Sequence, residues 1–539
     1  MEPEDGTPPS GDPPWWQRGL LYQIYPRSFA DSDADGIGDL PGITAHLDHL
    51  EWLGVDGIWL SPVTVSPNRD WGYDVADYLR VDPALGTDAD LDHLIDAADR
   101  RGIRVLLDLV PNHTSDEHPW FVDARRSRQS LHRQWYVWAD PAPGGGPPNN
   151  WVSSFVGGPA WTFDEPTGQY YLHNHLPEQP DLNWWNDGVR RAFDDILTTW
   201  FGRGVAGFRI DVCSGIVKDA ELRDNPPSDE TDPFIDQVFG QRPVYNGNRP
   251  EVHDVLRHWR RLADDAGGRL LLGETPVALE SMVTFYGSGG DELHLAFNFP
   301  FIEGPLEASA MRALVEDTER LLPPGGWPVW TGSNHDVSRL ATRWAEGDER
   351  KTRVALLVLL CLRGTPVLYQ GDEIGLPDVP VPQERLRDPV GVRYWPLYAG
   401  RDPMRTPMPW RPGPGGGFTE PGVEPWLPFG HPDGVTVAEE RDDRGSVLNF
   451  VRDLVALRRR RPELSGGSYR TMATDPPVWA WARGEQTVVA CNMGDAPNHV
   501  GGVRGTVLAG TRRDREGEGL SGRIDLDGWE AVVVDIASP

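Results

Sequence analysis

Short apolar segments rich in valine, isoleucine and leucine recur along the chain, and several of them end in polar residues. Stretches with apolar residues at helical spacing, such as residues 91–102 and 252–267, separate most of these segments. This alternation predicts eight strand–helix units, the pattern of an α/β fold that closes into a (β/α)₈ barrel. We predict the strands at residues 20–26, 55–62, 103–113, 205–212, 269–274, 294–299, 328–336 and 366–373.

Two long segments fall outside this alternation. The interval between the third and fourth predicted strands far exceeds the usual βα loop of about 2–6 residues, so residues 114–185 are expected to form an inserted subdomain beside the barrel mouth. Alternating apolar residues without helical spacing predict a C-terminal antiparallel β domain, a β-sandwich, at residues 466–539. The barrel is assigned to residues 15–113 and 186–465, and the acidic, proline-rich residues 1–14 are expected to be a disordered tail.

Composition limits the classes of partner. The chain has 82 Asp and Glu residues against 51 Lys and Arg residues, and its formal net charge of −31 argues against binding to nucleic acid or to an anionic membrane. A small neutral ligand is favoured instead. The three cysteines are far apart and odd in number, which indicates a reducing compartment. Without a signal-peptide pattern or a long apolar run, we expect a cytoplasmic protein, and the oligomeric state stays open.

Acidic residues follow several of the predicted strands, at the end where (β/α)₈ barrels carry their chemistry. Asp211, Glu274 and Asp336 follow strands four, five and seven, so they should converge at the barrel mouth. Crowded carboxylates raise one another's pKa, which lets one stay protonated while another is ionised, as glycoside hydrolysis requires. Arg209 shares a strand face with Asp211 and is expected to lower its pKa. Glu274 has no adjacent positive charge, which suits an acid/base residue.

Four segments of the chain resemble, in the same order, the conserved regions of the α-amylase family of retaining α-glycoside hydrolases: DLVPNH at 108–113, GFRIDV at 207–212, GET at 273–275 and SNHD at 333–336. Other segments resemble the oligo-1,6-glucosidase and α-glucosidase branch of that family, among them YQIYPRSFADSDADGIGDL at 22–40, QPDLNW at 179–184 and RTPMPW at 405–410. The resemblance extends from about Trp16 to the C terminus.

The resemblance implies a role for each matching residue. Asp211 would be the nucleophile that forms a β-glucosyl ester, Glu274 the general acid and then base, and Asp336 the carboxylate that binds sugar hydroxyls. The carboxyl groups of a retaining pair lie about 5–5.5 Å apart. Arg209 would orient the nucleophile, two histidines would bond glucose hydroxyls, and an aspartate, a tyrosine and a second arginine would hold the non-reducing glucose. The implied substrate-binding residues are Asp70, Tyr73, His113, Arg209, His335 and Arg405.

An acidic turn early in the chain is a candidate metal site. Asp31, Asp33, Asp35 and Asp39 alternate around glycines, which suits oxygen ligation of Ca²⁺, although the turn is not an EF-hand. The resemblance implies a structural Ca²⁺ or Mg²⁺ here, with the carbonyl of Ile37 as a further ligand and no organic cofactor. An acidic turn without a metal is the alternative.

The expected function is that of an exo-acting α-glucosidase that releases glucose from short α-glucosides. Val212 and QPDLN resemble α-1,6-cleaving relatives. The longer segment KDAELRDNPP at 218–227 resembles bacterial enzymes that prefer α-1,4 disaccharides or transfer glucose to acceptors, so α-1,4 is ranked first. An oligo-1,6-glucosidase, or a transferase or isomerase of sucrose-isomerase or trehalose-synthase type, would use the same site. A non-catalytic relative, such as the glycoprotein subunit of amino-acid transporters, is a remote alternative, because its catalytic acids are lost and here they are present.

Overall fold

In the part of the chain that the structure describes, the strands form four sheets. The computed structural model describes residues 13–155, 157–230, 232 and 234–536, so most of the predicted N-terminal tail lies outside the described residues. In chain order the strands are β1 Leu21–Ile24, β2 Gly57–Leu60, β3 Thr64–Val65, β4 Asp77–Val81, β5 Arg104–Leu109, β6 Trp138–Ala139, β7 Trp161–Asp164, β8 Gln169–Leu172, β9 Gly207–Ile210, β10 Leu270–Gly273, β11 Leu295–Ala296, β12 Val329–Thr331, β13 Thr365–Tyr369, β14 Tyr469–Thr471, β15 Val478–Arg483, β16 Thr487–Asn492, β17 Asn498–Gly510, β18 Gly519–Leu526 and β19 Glu530–Ile536.

Helices lie between consecutive barrel strands, and further helices precede β1 and follow β13. They are α1 Trp15–Arg18, α2 Leu40–Ala45, α3 Leu47–Leu53, α4 Asp88–Asp99, α5 Pro119–Ala124, α6 Asp187–Gly202, α7 Phe234–Phe239, α8 Val252–Asp265, α9 Leu279–Met282, α10 Phe299–Glu303, α11 Ala308–Leu321, α12 Leu340–Arg343, α13 Glu349–Cys361, α14 Pro389–Tyr394, α15 Val437–Asp442, α16 Val447–Arg460 and α17 Pro462–Gly466. None of these described helices has the length and apolar composition needed to cross a bilayer.

Eight parallel strands build the central barrel in the order β11-β10-β9-β5-β2-β1-β13-β12. A parallel bridge between Phe297 and Val329 joins the two ends of the sheet and closes it. Seven of these strands lie within the predicted segments, and β13 begins one residue earlier than predicted. The prediction of an α/β fold with a (β/α)₈ barrel is therefore confirmed.

The interior of the barrel changes from apolar to polar along the strands. Leu21 and Leu106 point into an apolar cluster near the start of their strands. Gln23 and Asp108, two residues further along the same strands, are buried polar groups. Because alternate residues of a strand share a face, Arg209 of β9 also points inward, and it pairs in register with Asp108. The polar strand face of the segment at 207–212 is thus the inner wall of the barrel at its C-terminal end.

The long segment between β5 and α6 carries a small antiparallel sheet of order β6-β8-β7. Its core contains the buried side chains of Trp151, Trp161 and Leu172. A bridge from His113 to Asp181 ties the insertion to the segment that follows β5, and a bridge from Tyr136 to Leu182 lies within the insertion. The insertion is therefore held next to the C-terminal ends of the barrel strands.

The C-terminal strands form one continuous antiparallel sheet of order β14-β15-β16-β19-β17-β18. The first part of β17 pairs with β18 and its last part pairs with β19, which links all six strands by hydrogen bonds, and the predicted β-sandwich stays a prediction. Trp479 and Trp481 on one face join the main hydrophobic core of the barrel, and Ala480 and Val488 on the other face belong to a separate apolar cluster.

Candidate active site

A cavity of about 470 Å³ opens at the C-terminal end of the barrel. The inserted segment contributes Phe155 and His175 to its wall, and the stretch after β9 contributes Phe239 and Gln241. Three of the predicted site residues are buried behind the wall: Arg209, His335 and Arg405. The other predicted catalytic and substrate-binding residues line the cavity: Asp70, Tyr73, His113, Asp211, Glu274 and Asp336.

Arg209 is the centre of the charged cluster under this cavity. Its Nη1 lies 2.7 Å from Asp211 Oδ1 and 2.9 Å from Asp108 Oδ1, and its Nη2 lies 2.9 Å from Glu274 Oε2. The guanidinium is 1% exposed and bonds all three acids because its fork presents donors in several directions. Asp211 and Glu274, which are remote in sequence, therefore contact one cation and face one cavity.

The structure corrects two expectations about these charges. Glu274 does have an adjacent positive charge, since β10 lies beside β9 and places it within reach of Arg209. The pKa of Asp211 is raised rather than lowered, because burial outweighs Arg209 and the acids Glu274 and Asp108 add to the rise. One guanidinium shared among three carboxylates does not neutralise them all, and burial likewise raises the pKa of Asp108 to about 6.

Asp336 has the opposite electrostatic setting. Its Oδ1 accepts from Arg405 Nη2 at 2.6 Å and from Arg401 Nη1 at 3.2 Å. Burial disfavours the charged form, but the surrounding groups His335, Arg401 and Arg405 outweigh burial and lower the pKa of Asp336. Because burial also lowers the pKa of His335, its ring is neutral and the two arginines are the effective cations. Asp336 is therefore ionised across the neutral range.

Arg401 is a site residue that the sequence did not reveal. Its Nη2 lies 2.6 Å from Asp70 Oδ1 and 2.7 Å from Asp388 Oδ1, and its guanidinium stacks 4.9 Å from the ring of Phe155. It is buried in a loop that follows β13, where no strand or helix periodicity marks it. Its position four residues before Arg405, next to a motif of the resemblance, is the one available signal. The Asp70–Arg401 pair lines the cavity beside Asp336.

His335 and Tyr73 connect Asp108, which pairs with Arg209, to Asp336. The Tyr73 hydroxyl donates to Asp108 Oδ2 at 3.0 Å and lies 2.6 Å from His335 Nε2, and the two rings stack with centroids 5.3 Å apart. The other ring nitrogen of His335 lies 2.7 Å from the side-chain amide nitrogen of Gln23. His335 thus holds Tyr73 and Asp336 in place from behind the cavity wall.

His113 and a buried lysine anchor the inserted segment. His113 Nε2 contacts the Tyr73 carbonyl and the Gln179 amide, each at 3.0 Å. Lys218 pairs with Asp181 at 2.8 Å and also donates to the Asn112 side chain, the neighbour of His113. Burial lowers the pKa of His113, so its ring is neutral. This network fixes the insertion against β5. Its members Gln179, Asp181 and Lys218 lie in the segments QPDLNW and KDAELRDNPP, which the sequence singled out without assigning these residues a role.

The acidic turn brings only part of the predicted metal ligands together. Among the described residues, Asp31, Asp33 and Asp39 each place a carboxylate oxygen within 4.8 Å of the others. Asp35 is not part of this group, and its carboxylate accepts the main-chain N–H of Ile37 at 2.7 Å. Three convergent carboxylates are oxygen ligands of the kind that Ca²⁺ and Mg²⁺ take. These three carboxylates therefore fit a hard divalent cation, and the participation of Asp35 and of the Ile37 carbonyl stays a prediction.

Comparison with known proteins decides the family. Residues 23–467 match the model of the α-amylase catalytic domain. The chain belongs to the α-amylase family. It is 42% identical over 502 residues to a probable alpha-glucosidase of Rhizobium meliloti (strain 1021), covering 90% of each chain. It is 35% identical over 572 residues to the oligo-1,6-glucosidase of Parageobacillus thermoglucosidasius, covering 97% of this chain and 99% of the relative.

A solved structure of an alpha-glucosyl transfer enzyme matches with a TM-score of 0.90 and 39% identity, covering 97% of this chain and 100% of that one. As a member of the α-amylase family with this catalytic domain, the protein is a glycoside hydrolase of α-glucosides. The family predicted from the four motifs is confirmed.

Proposed function

We propose that the protein is an exo-acting, retaining α-glucosidase that releases glucose from the non-reducing end of short α-glucosides. The observation that carries this proposal is that Asp211 and Glu274 contact the same guanidinium and line the same cavity. Asp70 and Arg401 support exo action, because their ion pair walls the cavity where a longer chain would have to continue. We therefore expect the site to take the terminal sugar of a chain.

The proposed mechanism is a double displacement. A carboxylate oxygen of Asp211 attacks the anomeric carbon while Glu274 gives its proton to the departing glycosidic oxygen, which forms a β-glucosyl ester. Glu274 then takes a proton from water as that water attacks the ester, and the α-configuration is restored. Asp336, kept ionised by Arg401 and Arg405, binds sugar hydroxyls and favours the positively charged transition state.

The raised pKa of Asp211 predicts the acid limb of the pH profile. Attack needs the carboxylate, and the ionised fraction falls as the pH drops through the raised value, so kcat/KM should decline at a higher pH than an ordinary aspartate would give. Asp108→Asn removes a neighbouring negative charge and should move this limb to lower pH. Profiles of kcat/KM for both proteins check the shift, and an acid limb that stays in place would contradict it.

Linkage and direction of attack are tested with a substrate panel. We expect initial rates to be higher on maltose than on isomaltose, sucrose or trehalose, with α-glucose as the first product by NMR. A maltoheptaoside blocked at its non-reducing end should resist cleavage, whereas the unblocked form should lose one glucose at a time. A strong preference for isomaltose would favour an oligo-1,6-glucosidase, and cleavage of the blocked substrate would contradict exo action.

Transfer to a sugar acceptor is the second candidate function. The observation in its favour is the match to a solved alpha-glucosyl transfer enzyme over nearly the whole chain. Transfer uses the same two acids and differs only in what reaches the glucosyl ester. Product analysis at low maltose with an added acceptor separates the two, because dominant transfer products would identify a transferase.

We also propose a structural Ca²⁺ or Mg²⁺ at the acidic turn, held by Asp31, Asp33 and Asp39. Removal of the ion would leave three carboxylates in mutual repulsion, so the chelator EDTA should lower the melting temperature and added Ca²⁺ should restore it. Asp33→Asn should abolish this response, with Asp35→Asn as the matched control that keeps it. A melting temperature that EDTA does not change would count against the ion.

A further inference from the structure

The main chain takes an unusual path directly after the proposed nucleophile. Val212 has φ 41° and ψ 44°, in the left-handed region that β-branched residues rarely adopt. Glycine is the ordinary residue for such a conformation. A strained backbone next to a reacting group persists only where surrounding contacts hold it.

Two consecutive N–H groups of this strained turn donate to Glu274. The Val212 N–H donates to Glu274 Oε2 at 2.7 Å, and the Cys213 N–H donates to the main-chain carbonyl of Glu274 at 3.0 Å. In an extended strand successive N–H groups point in opposite directions, so one residue could not accept both. The left-handed conformation turns them to the same side. The Gly215 N–H closes the turn by donating to the Val212 carbonyl at 2.7 Å.

The two carboxyl oxygens of Glu274 therefore differ. Oε2 accepts from Val212 and lies 2.9 Å from Arg209 Nη2. Oε1 has no protein donor among the residues that the structure describes, and Glu274 lines the cavity. We propose that Val212 is a positioning residue whose N–H fixes Oε2 of Glu274 as the permanent acceptor and leaves Oε1 as the oxygen that passes the proton. This inference rests on the proposed role of Glu274 as acid and base.

The proton transfer then follows one route. In the first step the Oε1–H bond breaks, the proton goes to the glycosidic oxygen, and the electron pair of the breaking C1–O bond goes to that oxygen while Asp211 bonds to C1. The negative charge left on Glu274 is met by the Val212 N–H and by Arg209, both already in place. In the second step Oε1 takes a proton from the attacking water.

Replacing the Val212 amide by an ester tests this inference. Incorporation of the α-hydroxy analogue of valine at Val212 removes the N–H and keeps the side chain. The matched control is the same replacement at Val205, a buried valine whose N–H donates to the Trp200 carbonyl at 3.1 Å in the same barrel unit. Both proteins lose one buried main-chain hydrogen bond, but only one of these bonds reaches Glu274.

The readout is the ratio of kcat/KM on maltose to kcat/KM on α-glucosyl fluoride, because fluoride departs without needing a proton. We expect the Val212 ester to lower the maltose value by about 10- to 100-fold, since a misplaced acid loses part of its contribution, and to leave the fluoride value within about threefold. The Val205 ester should leave the ratio at that of the wild-type protein. A Val212 ester with an unchanged ratio would overturn the inference.

A second variant covers failure of the ester protein to fold. A Cβ at Gly215 would lie 2.7 Å from Val212 Cγ1, so Gly215→Ala should press on Val212. When a crystal structure of this variant shows the Val212 N–H moved away from Glu274 Oε2, we expect the same ratio to fall, and an unchanged ratio overturns the inference. Glu274→Gln shows whether a negative result concerns the role of Val212 or the proposed acid/base role of Glu274. If Glu274→Gln cleaves maltose normally, the acid/base role itself is wrong. If it loses maltose cleavage while the turn variants keep the ratio, only the role of Val212 is wrong.

Discussion

Asp211→Asn should lower kcat on maltose by about 10⁴-fold or more and leave the protein folded. The amide cannot form the glucosyl ester, because it is not a nucleophile toward the anomeric carbon. Its size matches the carboxylate, so Arg209 keeps a partner and the buried cluster loses one negative charge. Steady-state kinetics with a melting curve measures both effects.

Asp224→Asn is the matched control for this change. Asp224 is an exposed aspartate that follows the same strand, and it accepts the main-chain N–H of Asn150 away from the cavity. We expect its kcat to equal that of the wild-type protein. Retained maltose hydrolysis in Asp211→Asn would discredit the assigned nucleophile.

Arg209→Met should combine the largest loss of stability with loss of activity. Removing the cation leaves Asp108, Asp211 and Glu274 buried together without neutralisation, and breaking such a pair costs about 3–5 kcal/mol. Proteins of this kind are stable by about 5–15 kcal/mol, so the change should be plain in denaturant unfolding. Activity should fall because neither catalytic acid is oriented.

Arg209→Lys separates charge from geometry. A lysine keeps the positive charge but has no planar fork to contact both acids at once, so kcat/KM should still fall by about 10²-fold or more while stability falls less than in Arg209→Met. Arg133→Lys is the matched control. Arg133 is also buried, stacks on Trp138 and lies in the inserted segment, so its replacement should affect stability and not the chemical step. Full activity in Arg209→Lys would show that positive charge alone suffices.

The sequence predicted what depends on regular periodicity. The period of two in β9 placed Arg209 and Asp211 on one face, and the positions of acids after successive strands placed Asp211, Glu274 and Asp336 at one end of the barrel. All three line the cavity. Their mutual arrangement follows from the parallel barrel, which the alternation of strands and helices specifies.

What the sequence did not predict depends on contacts across the barrel and on irregular loops. The contact between Arg209 and Glu274 requires the register of β10 against β9, which sets Leu272 beside Arg209 and Glu274 two residues beyond. Arg401 lies in a loop without periodicity, and only folding brings it to Asp70. The pKa of Asp211 was misjudged for the same reason, since its rise comes from burial and from acids on neighbouring strands.

Covalent trapping tests the central claim most directly. The claim is that Asp211 bonds to the sugar while Glu274 moves the proton. Incubation with 5-fluoro-α-glucosyl fluoride should accumulate the glycosyl-enzyme, and mass spectrometry of its peptides should locate the added sugar on Asp211. A sugar found on Glu274 or Asp336, or release of β-glucose with no covalent adduct, would contradict the account.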